Sequence, residues 1–446
     1  MKLLAPPAGL VLALLLALSV ASCSEKTLVD RPVSPEPSDT ALPRTTATPA
    51  ATGTAASDLP PGLQQMLANV ASARNLPMPS GLKAELVARS ELPALLDRLL
   101  TEDDRRWFDQ TTTLYRLLGH LRKDQDYLTV WQSFGSDSIL GLYSPIHDQL
   151  WVVHDDGAAI DFDSLPRQEE ETLAHELVHA IQDYSFRLDE VYESIVDDLD
   201  RNLAWTAVVE GDAVTHEGVY ANRYMSLRSP SGRAFLLADA AQANDVPPSI
   251  ARELFFPYTT GASWIRTIVA REGTTRVDAM LADPPRGTAF ALHPELLDSG
   301  WQPGEVKLPA IAGALGNGWQ RESGGQWGEF GVQNYLRLRV RSFQAVTAAE
   351  GWAGDHYDVY VNGAESVAVF RLAFADASDA KEFASAQQSL LKDVNAVVST
   401  EGAISLARVP GGNVTATVAP SGNEVVFAIG SSQEVALRAM QAIAGS

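Results

Sequence analysis

The chain has 446 residues, one cysteine and a formal net charge of −22 at pH 7. Such an acidic chain is repelled by polyanions, which argues against nucleic-acid binding and against broad contact with anionic lipid. The length allows two folded domains of roughly 150 residues each after an N-terminal leader.

The N-terminus has the features of an export signal. A short positive start precedes an apolar run at 10–18, which is too short for an ordinary membrane span. The run is followed by the tetrapeptide Val-Ala-Ser-Cys at 20–23, which resembles the lipobox of bacterial lipoproteins, where the cysteine is acylated. We therefore expect a signal peptide over 1–22 and a membrane anchor on lipidated Cys23. The alternative is a cleaved signal that happens to contain a cysteine.

Residues 23–58 predict a tether between this anchor and the folded part. The segment is rich in Pro, Thr and Ala and has few large apolar residues, so it cannot bury a core. No later apolar run reaches the roughly 20 residues that a bilayer requires.

Hydrophobic periodicity predicts helices and a few strands up to about residue 300. Leucines recur at helical intervals over 82–123, and apolar runs at 127–131, 139–143 and 150–153 are typical of strands. A helix is expected to begin at Pro166. Further helices are predicted over 196–222, near 230–241 and over 249–281.

The residue composition changes near Trp301, where Gly and Pro mark a break between predicted domains. The strands and helices expected beyond it are strands at 357–361 and 367–372, a helix at 378–391, a hairpin over 415–429 and a helix at 432–443. The chain is thus predicted to be α+β, with a mostly helical domain at 59–300 that includes a small N-terminal sheet, and a smaller α+β domain at 301–446.

The stretch His-Glu-Leu-Val-His at 175–179 predicts a metal site. His175 and His179 lie one turn apart on one face of a helix, where both rings can reach the same ion. Zinc suits imidazole, and Glu176 beside it can accept a proton from water. The alternative is a buried helix whose histidines are satisfied by hydrogen bonds.

Glu210 is the best candidate for a third ligand. It lies in an apolar helical run, where a carboxylate is costly unless it is paired or bound to a metal. The adjacent Gly211 costs helix stability, which is explained if another helix approaches closely. The alternative is a glutamate at the solvent edge of the helix. Rival ligands are His216, Glu217, Glu193 and Asp197.

The segments at 175–179 and 208–213 together resemble the gluzincin-type zinc metallopeptidases. More specifically, 175–183 and 209–213 are similar to the HELxHAxQD and VEGDA motifs of a largely uncharacterised exported group of bacteria and archaea. Weaker similarity extends the match over roughly 100–360, at 256–261, 284–286, 293–295 and 351–355.

The resemblance implies a zincin-like domain in which His175, His179 and Glu210 bind Zn²⁺ and Glu176 is the base. This chain departs from the best-studied gluzincins in a longer gap between the two motif helices, filled by 185–200, which could cover the cleft.

Other residues are candidates for supporting roles. His293 and Tyr258 could donate to an oxyanion, or be structural. Asp183, one turn after His179, could orient a ligand imidazole, while Asp212 should point away from the face of Glu210. The strand at 150–153 could be an edge strand that pairs with extended substrate, or an ordinary strand.

These observations lead us to expect a zinc-dependent metallopeptidase, exported and lipid-anchored to the bacterial cell envelope, which hydrolyses a peptide or protein substrate. Two alternatives remain. The first is a catalytically inactive metallopeptidase-like lipoprotein that serves as an envelope binding module. The second is a structural lipoprotein without metal, whose motif is accidental.

Overall fold

The computed structural model describes residues 59–136, 139–155, 160–225 and 245–444. The predicted signal peptide 1–22, the tether 23–58 with Cys23, and the helix expected near 230–241 lie outside the described residues. Within the described ranges, no helix combines the length and the apolar character needed to cross a bilayer.

The fold is α+β, as predicted. The helices are α1 (Pro61–Arg74), α2 (Leu92–Leu99), α3 (Glu102–Leu118), α4 (Tyr127–Ser136), α5 (Arg167–Phe186), α6 (Leu188–Glu193), α7 (Leu199–Tyr224), α8 (Pro248–Phe256), a π-helix (Pro257–Gly261), α9 (Ala262–Glu272), α10 (Thr275–Ala282), α11 (Ala289–Leu292), α12 (Leu296–Ser299), α13 (Ala312–Leu315), α14 (Gly328–Leu336), α15 (Ser342–Thr347), α16 (Ala377–Asp393) and α17 (Gln433–Ala444). The strands are β1 (Lys83–Ala88), β2 (Gly141–Ser144), β3 (Gln149–His154), β4 (Gln320–Gly325), β5 (Trp352–Asn362), β6 (Glu365–Phe374), β7 (Val397–Glu401), β8 (Ile404–Arg408), β9 (Val414–Thr417) and β10 (Glu424–Gly430).

The first sheet has three strands in the order β1-β3-β2. Strand β1 pairs in parallel with β3, and β2 pairs with it antiparallel. The prediction that 150–153 forms an edge strand is therefore wrong, because β3 lies in the centre of the sheet. The helix expected from the leucine spacing at 82–123 is wrong for residues 83–88, which form β1; Leu86 is half exposed there and does not belong to a buried helical face.

The predicted strand at 127–131 is also wrong, since these residues begin α4. Tyr127, Val130, Trp131 and Phe134 are buried at the i, i+3, i+4 and i+7 spacing of one helical face. Phe108 of α3 contacts the rings of both Tyr127 and Trp131. This packing outweighs the strand propensity of the short apolar segment.

The second sheet is antiparallel and has seven strands in the order β4-β5-β6-β10-β9-β8-β7. Alternate residues of β6 serve opposite faces: Phe370 packs in the same core as Phe383 of α16, and Val369 packs with Met440 of α17. The two helices therefore cover opposite faces of the sheet.

One hydrophobic core crosses the predicted domain boundary at 300. It includes Trp131 and Ile265 from before the boundary and Phe330 and Phe370 from after it. The two halves of the fold therefore share buried surface. A separate core joins α1 to the buried face of α5.

Helices α5 and α7 pack against each other. Helix α5 follows Pro166 as predicted, and α7 covers most of the predicted 196–222. The π-helix crosses α7 closely: a Cβ added to Gly211 would lie 2.6 Å from Gly261 O, and one added to Gly261 would lie 2.5 Å from Ala207 O. The expected close approach of another helix at Gly211 is confirmed.

Candidate metal centre

Helices α5 and α7 bring His175, His179 and Glu210 together. One ligand atom from each residue lies within 4.8 Å of the others. Glu210 Oε2 is 3.1 Å from His175 Nε2 and 3.6 Å from His179 Nε2. All three residues have no exposed surface (0%). This buried group can hold a metal ion.

The hydrogen bonding of the group leaves room for a cation. Among the described residues, His179 Nε2 and Glu210 Oε1 have no hydrogen-bond partner. Buried polar atoms are ordinarily paired, so two unpaired atoms within this three-residue group fit the binding of a cation. Two imidazoles and one carboxylate are also a donor set that suits zinc.

The pKa shifts within the group also favour a bound cation. Burial alone would raise the pKa of Glu210, but the adjacent His179 and His175 hold it below its usual value. Burial opposes the charge on His179, yet the Glu210 carboxylate raises the pKa of that imidazole. The group therefore favours a positive charge between its members, a position that a metal ion can take from the proton.

Glu176 lies on the same helix turn, next to strand β2. It is fully buried, and the backbone N–H of Tyr143 donates to its Oε2 at 3.1 Å. A Cβ on Gly141 would lie 2.9 Å from Glu176 Cγ, so the glycine gives the side chain its space. Helix α5 thus places both histidines and the Glu176 carboxylate in the same buried region.

Each histidine has an outer partner. His175 Nδ1 is 3.1 Å from Glu217 Oε2, and His179 Nδ1 is 2.9 Å from Gln182 Oε1. The side-chain amide of Gln182 donates to Val209 O and to Asp212 Oδ2. The i+3 spacing of Gln182 from His179 puts both side chains on the same helix face, which is the sequence signal for this partner.

The structure does not place Asp183 as an orienting partner for a ligand imidazole. Its carboxylate accepts from Tyr143 Oη at 2.8 Å and from the N–H of Leu188 at 2.9 Å. Burial raises the pKa of Asp183 to about 6. This residue ties β2 and the start of α6 to α5.

Of the rival ligands, none joins the three-residue group. Glu217 is the outer partner of His175, and Glu193 and Asp197 are exposed. His216 Nδ1 lies 2.9 Å from Asp212 Oδ1. Asp212 contacts His216, Gln182 and Arg74, which lie outside the three-residue group.

Asp212 is the centre of a buried charge network behind the metal group. Arg74, the last residue of α1, donates from Nε to Asp212 Oδ2 at 2.8 Å, and its guanidinium also contacts Asp278. Although burial opposes it, the His216 and Arg74 charges hold the pKa of Asp212 well below its usual range. Through Gln182, this network is connected to His179.

The two predicted oxyanion donors differ in position. Tyr258 lies in the π-helix, buried, with its ring centroid 6.4 Å from that of His175. His293 instead directs Nε2 to Glu329 at 2.9 Å, and its Nδ1 lies 3.8 Å from Glu295. The structure brings Tyr258 to the metal group. It provides no contact there for His293 among the described residues.

A cavity of about 70 Å³ adjoins Tyr258. Its walls include the aromatic rings of Trp107, Tyr115 and Tyr127, and the carboxylate of Glu253. The Tyr115 and Tyr127 hydroxyls donate to Glu253 at 2.5 and 3.0 Å. Burial nevertheless raises the pKa of Glu253 to about 7.

The insert at 185–200 contains α6 and is fixed to the fold by buried Leu188, Tyr192 and Ile195. These side chains join the main hydrophobic core, so the insert is part of the packed structure.

Residues 318–441 match the model of a family described as a domain of unknown function, DUF8575. The match runs through β4–β10 and most of α17, so the metal group lies outside it. No curated protein and no solved structure matches the chain.

Proposed function

We propose that this protein is a zinc-dependent metallopeptidase of the gluzincin type that hydrolyses peptide bonds. The observation that carries the proposal is the buried group of His175, His179 and Glu210, with orphaned His179 Nε2 and Glu210 Oε1, beside buried Glu176. The match to DUF8575 indicates no activity, so the proposal rests on these residues and on the motif resemblance.

Each residue has a definite part in this reaction. His175, His179 and Glu210 would hold the ion; when bound, zinc supplies Lewis acidity that polarises a carbonyl and lowers the pKa of water towards about 7. Glu176 accepts the proton of the attacking water and delivers it to the leaving nitrogen. Tyr258 is the candidate donor to the developing oxyanion.

Strand β2 takes part in the site through Glu176. It lies at an edge of its sheet, its four residues are buried, and the N–H of Tyr143 donates to the Glu176 carboxylate. Strand β2 therefore helps to position Glu176 for its proposed role as the base.

The place of action is part of the proposal. The chain would be exported and anchored to the bacterial cell envelope by lipidated Cys23, with 23–58 as a tether. A lipid on one cysteine attaches a protein to a membrane without spanning it.

Metal content and turnover together test the proposal. The full chain, purified in mild detergent, should contain one zinc per chain by elemental analysis. Glu210→Ala should lose most of it. Glu176→Gln should keep zinc and lose cleavage of a quenched-fluorescence peptide library, by about 10²-fold or more. Glu169→Gln is the matched control, an exposed glutamate on the same helix.

The outcomes separate the alternatives. Absence of zinc after reconstitution would mean that α5 is a structural helix, and the peptidase proposal would fall. Zinc without Glu176-dependent cleavage of any peptide would leave an inactive binding module. Zinc in the wild type, with cleavage lost in both Glu176→Gln and Glu210→Ala and retained in Glu169→Gln, would establish the enzyme.

A further inference from the structure

A positively charged groove lies outside the group formed by His175, His179 and Glu210. Its volume is about 630 Å³, and it is bounded by α3, α8 and α14 on one side and by α16 and the β8–β9 loop on the other. Six cationic side chains line it: Arg116, Arg122, Lys123, Arg252, Arg337 and Arg339. No aspartate or glutamate of the described chain is among its lining residues.

This charge is opposite to that of the whole chain, which has 56 acidic and 34 basic residues. Two of the cations are partly compensated at the rim, where Arg122 lies 3.4 Å from Asp124 and Arg339 lies 3.8 Å from Asp393. The inner cations have no such partners among the described residues. The groove is therefore a local positive region on an acidic protein.

Arg252 and Arg337 form the inner part of the groove. Both are half-buried, and Arg252 donates from Nε to the neutral side chain of Asn334 at 2.9 Å. Arg337 Nε is buried and has no hydrogen-bond partner in the described part of the chain. Burial lowers the pKa of both guanidinium groups, and the charge of Arg337 lowers that of Arg252 further.

Two like charges held close together and partly out of water are unfavourable unless an anion joins them. His120, which also lines the groove, does not provide this anion and adds no positive charge. Burial, with a contribution from the charge of Arg252, lowers the pKa of that imidazole to about 3, so it is neutral at pH 7. No carboxylate of the described residues lines the groove, so an anion from solution can take this position.

The groove is a built feature of the fold. The side-chain amide of Asn413 donates to Arg116 O at 2.7 Å and to Leu117 O at 3.0 Å, which fixes the β8–β9 loop to the end of α3. Leu390 and Leu391 of α16 contribute apolar wall. Anchored walls hold the cations in place before a ligand arrives, which lowers the entropic cost of binding.

We propose that this groove binds a small soluble anion with two or more negative charges, of the phosphate or carboxylate class. Guanidinium groups present paired N–H donors that match the oxygens of both classes. Several cations spread over one groove favour a multivalent ligand over a single halide. This site is separate from the metal group and does not depend on the peptidase proposal.

Calorimetric titration of the full chain at low salt tests the site, with inorganic pyrophosphate and citrate as separate probes. The wild type should bind at least one of them. The double variant Arg252→Gln/Arg337→Gln should bind at least about a hundredfold more weakly, since each lost charge-assisted bond contributes about tenfold or more. Arg105→Gln is the control, because Arg105 pairs with Asp97 outside the groove.

The two probes also identify the ligand class: binding of pyrophosphate alone selects phosphates, and binding of citrate alone selects carboxylates. If neither binds at about 1 mM, or if the double variant binds as tightly as the wild type, the proposal is overturned. Circular dichroism checks folding.

If the double variant does not fold, Arg337→Lys replaces it. This substitution keeps the positive charge and removes the paired N–H donors of the guanidinium. Unchanged binding in that variant would exclude Arg337 as the anchor.

Discussion

His175 lies between two glutamates of one helix: its Nε2 is 3.1 Å from Glu210 Oε2, and its Nδ1 is 3.1 Å from Glu217 Oε2. Glu210 and Glu217 are seven residues apart on α7 and so share a face. A carboxylate on the outer nitrogen fixes the ring orientation and its tautomer, and increases its basicity as a ligand.

Removing the outer carboxylate should weaken metal binding without removing a ligand. In Glu217→Ala, we expect the zinc dissociation constant to rise about 10–100-fold. Competition with a chromophoric chelator measures this change. Equal zinc affinity in the variant and the wild type would show that Glu217 has no part in the metal site.

The crossing at Gly211 predicts opposite effects for two glycines of the same helix. Gly211→Ala would press a methyl group against Gly261 O, so we expect a loss of about 1–3 kcal/mol in the free energy of unfolding. Among the described residues, no atom beyond the local helix backbone lies within 4 Å of a Cβ at Gly218, so Gly218→Ala should gain about 0.5–1 kcal/mol from helix propensity. Denaturant unfolding measures both; the same sign in the two variants would contradict this account of the crossing.

Turnover should distinguish the two oxyanion candidates. Tyr258→Phe should lower kcat about 10²–10³-fold with little change in zinc content, because the hydroxyl would act only on the transition state. His293→Gln should change kcat only a few-fold, since the His293 ring is engaged by Glu329. A large loss in His293→Gln with none in Tyr258→Phe would reverse the assignment.

Glu253 should make the protein less stable as the pH rises. Its pKa is raised by burial from 4.5 to about 7, so the folded state retains a proton that the unfolded state releases. Its contribution is fully present below about pH 4.5 and is lost as the pH rises through about 7. Asp200 and Asp355, with pKa values raised by burial to about 7 and about 6, act in the same direction.

The variant Glu253→Gln isolates the contribution of Glu253 to the pH dependence of stability, because the amide stays neutral at every pH. Relative to the wild type, the variant should gain in free energy of unfolding between pH 5 and pH 8, as measured by denaturant titration at several pH values. A difference between the two proteins that does not change with pH would show that Glu253 does not titrate in this range.

The sequence was sufficient for the elements that carry the metal group. Helices α5 and α7 are long and have start signals or apolar periodicity, and His175, His179 and Glu210 were brought together as expected. Such elements are predictable because local pattern and tertiary packing favour the same structure.

The secondary-structure predictions are wrong or incomplete where tertiary packing overrides a short local sequence pattern. Residues 127–131 are β-prone over five positions, and only a window reaching Phe134 reveals the helical spacing of the buried face. Strand β1 exists through parallel pairing with β3, some 66 residues away. The exposed strand β7 has no buried face that a pattern could reveal. The partners of His293 and Asp183 likewise depend on distant residues.

The π-helix at Pro257–Gly261 has a consequence for the helices on either side of it. An α-helix turns about 100° per residue, so the wider turn shifts the angular phase of α9 relative to α8. That phase shift lets one continuous rod present Glu253 to the aromatic cavity, Tyr258 to His175 and Gly261 to α7. Deleting a single residue within this turn would rotate everything after it by roughly a quarter of a revolution, so the length of this segment is as constrained as Gly261, where an added Cβ would meet Ala207 O.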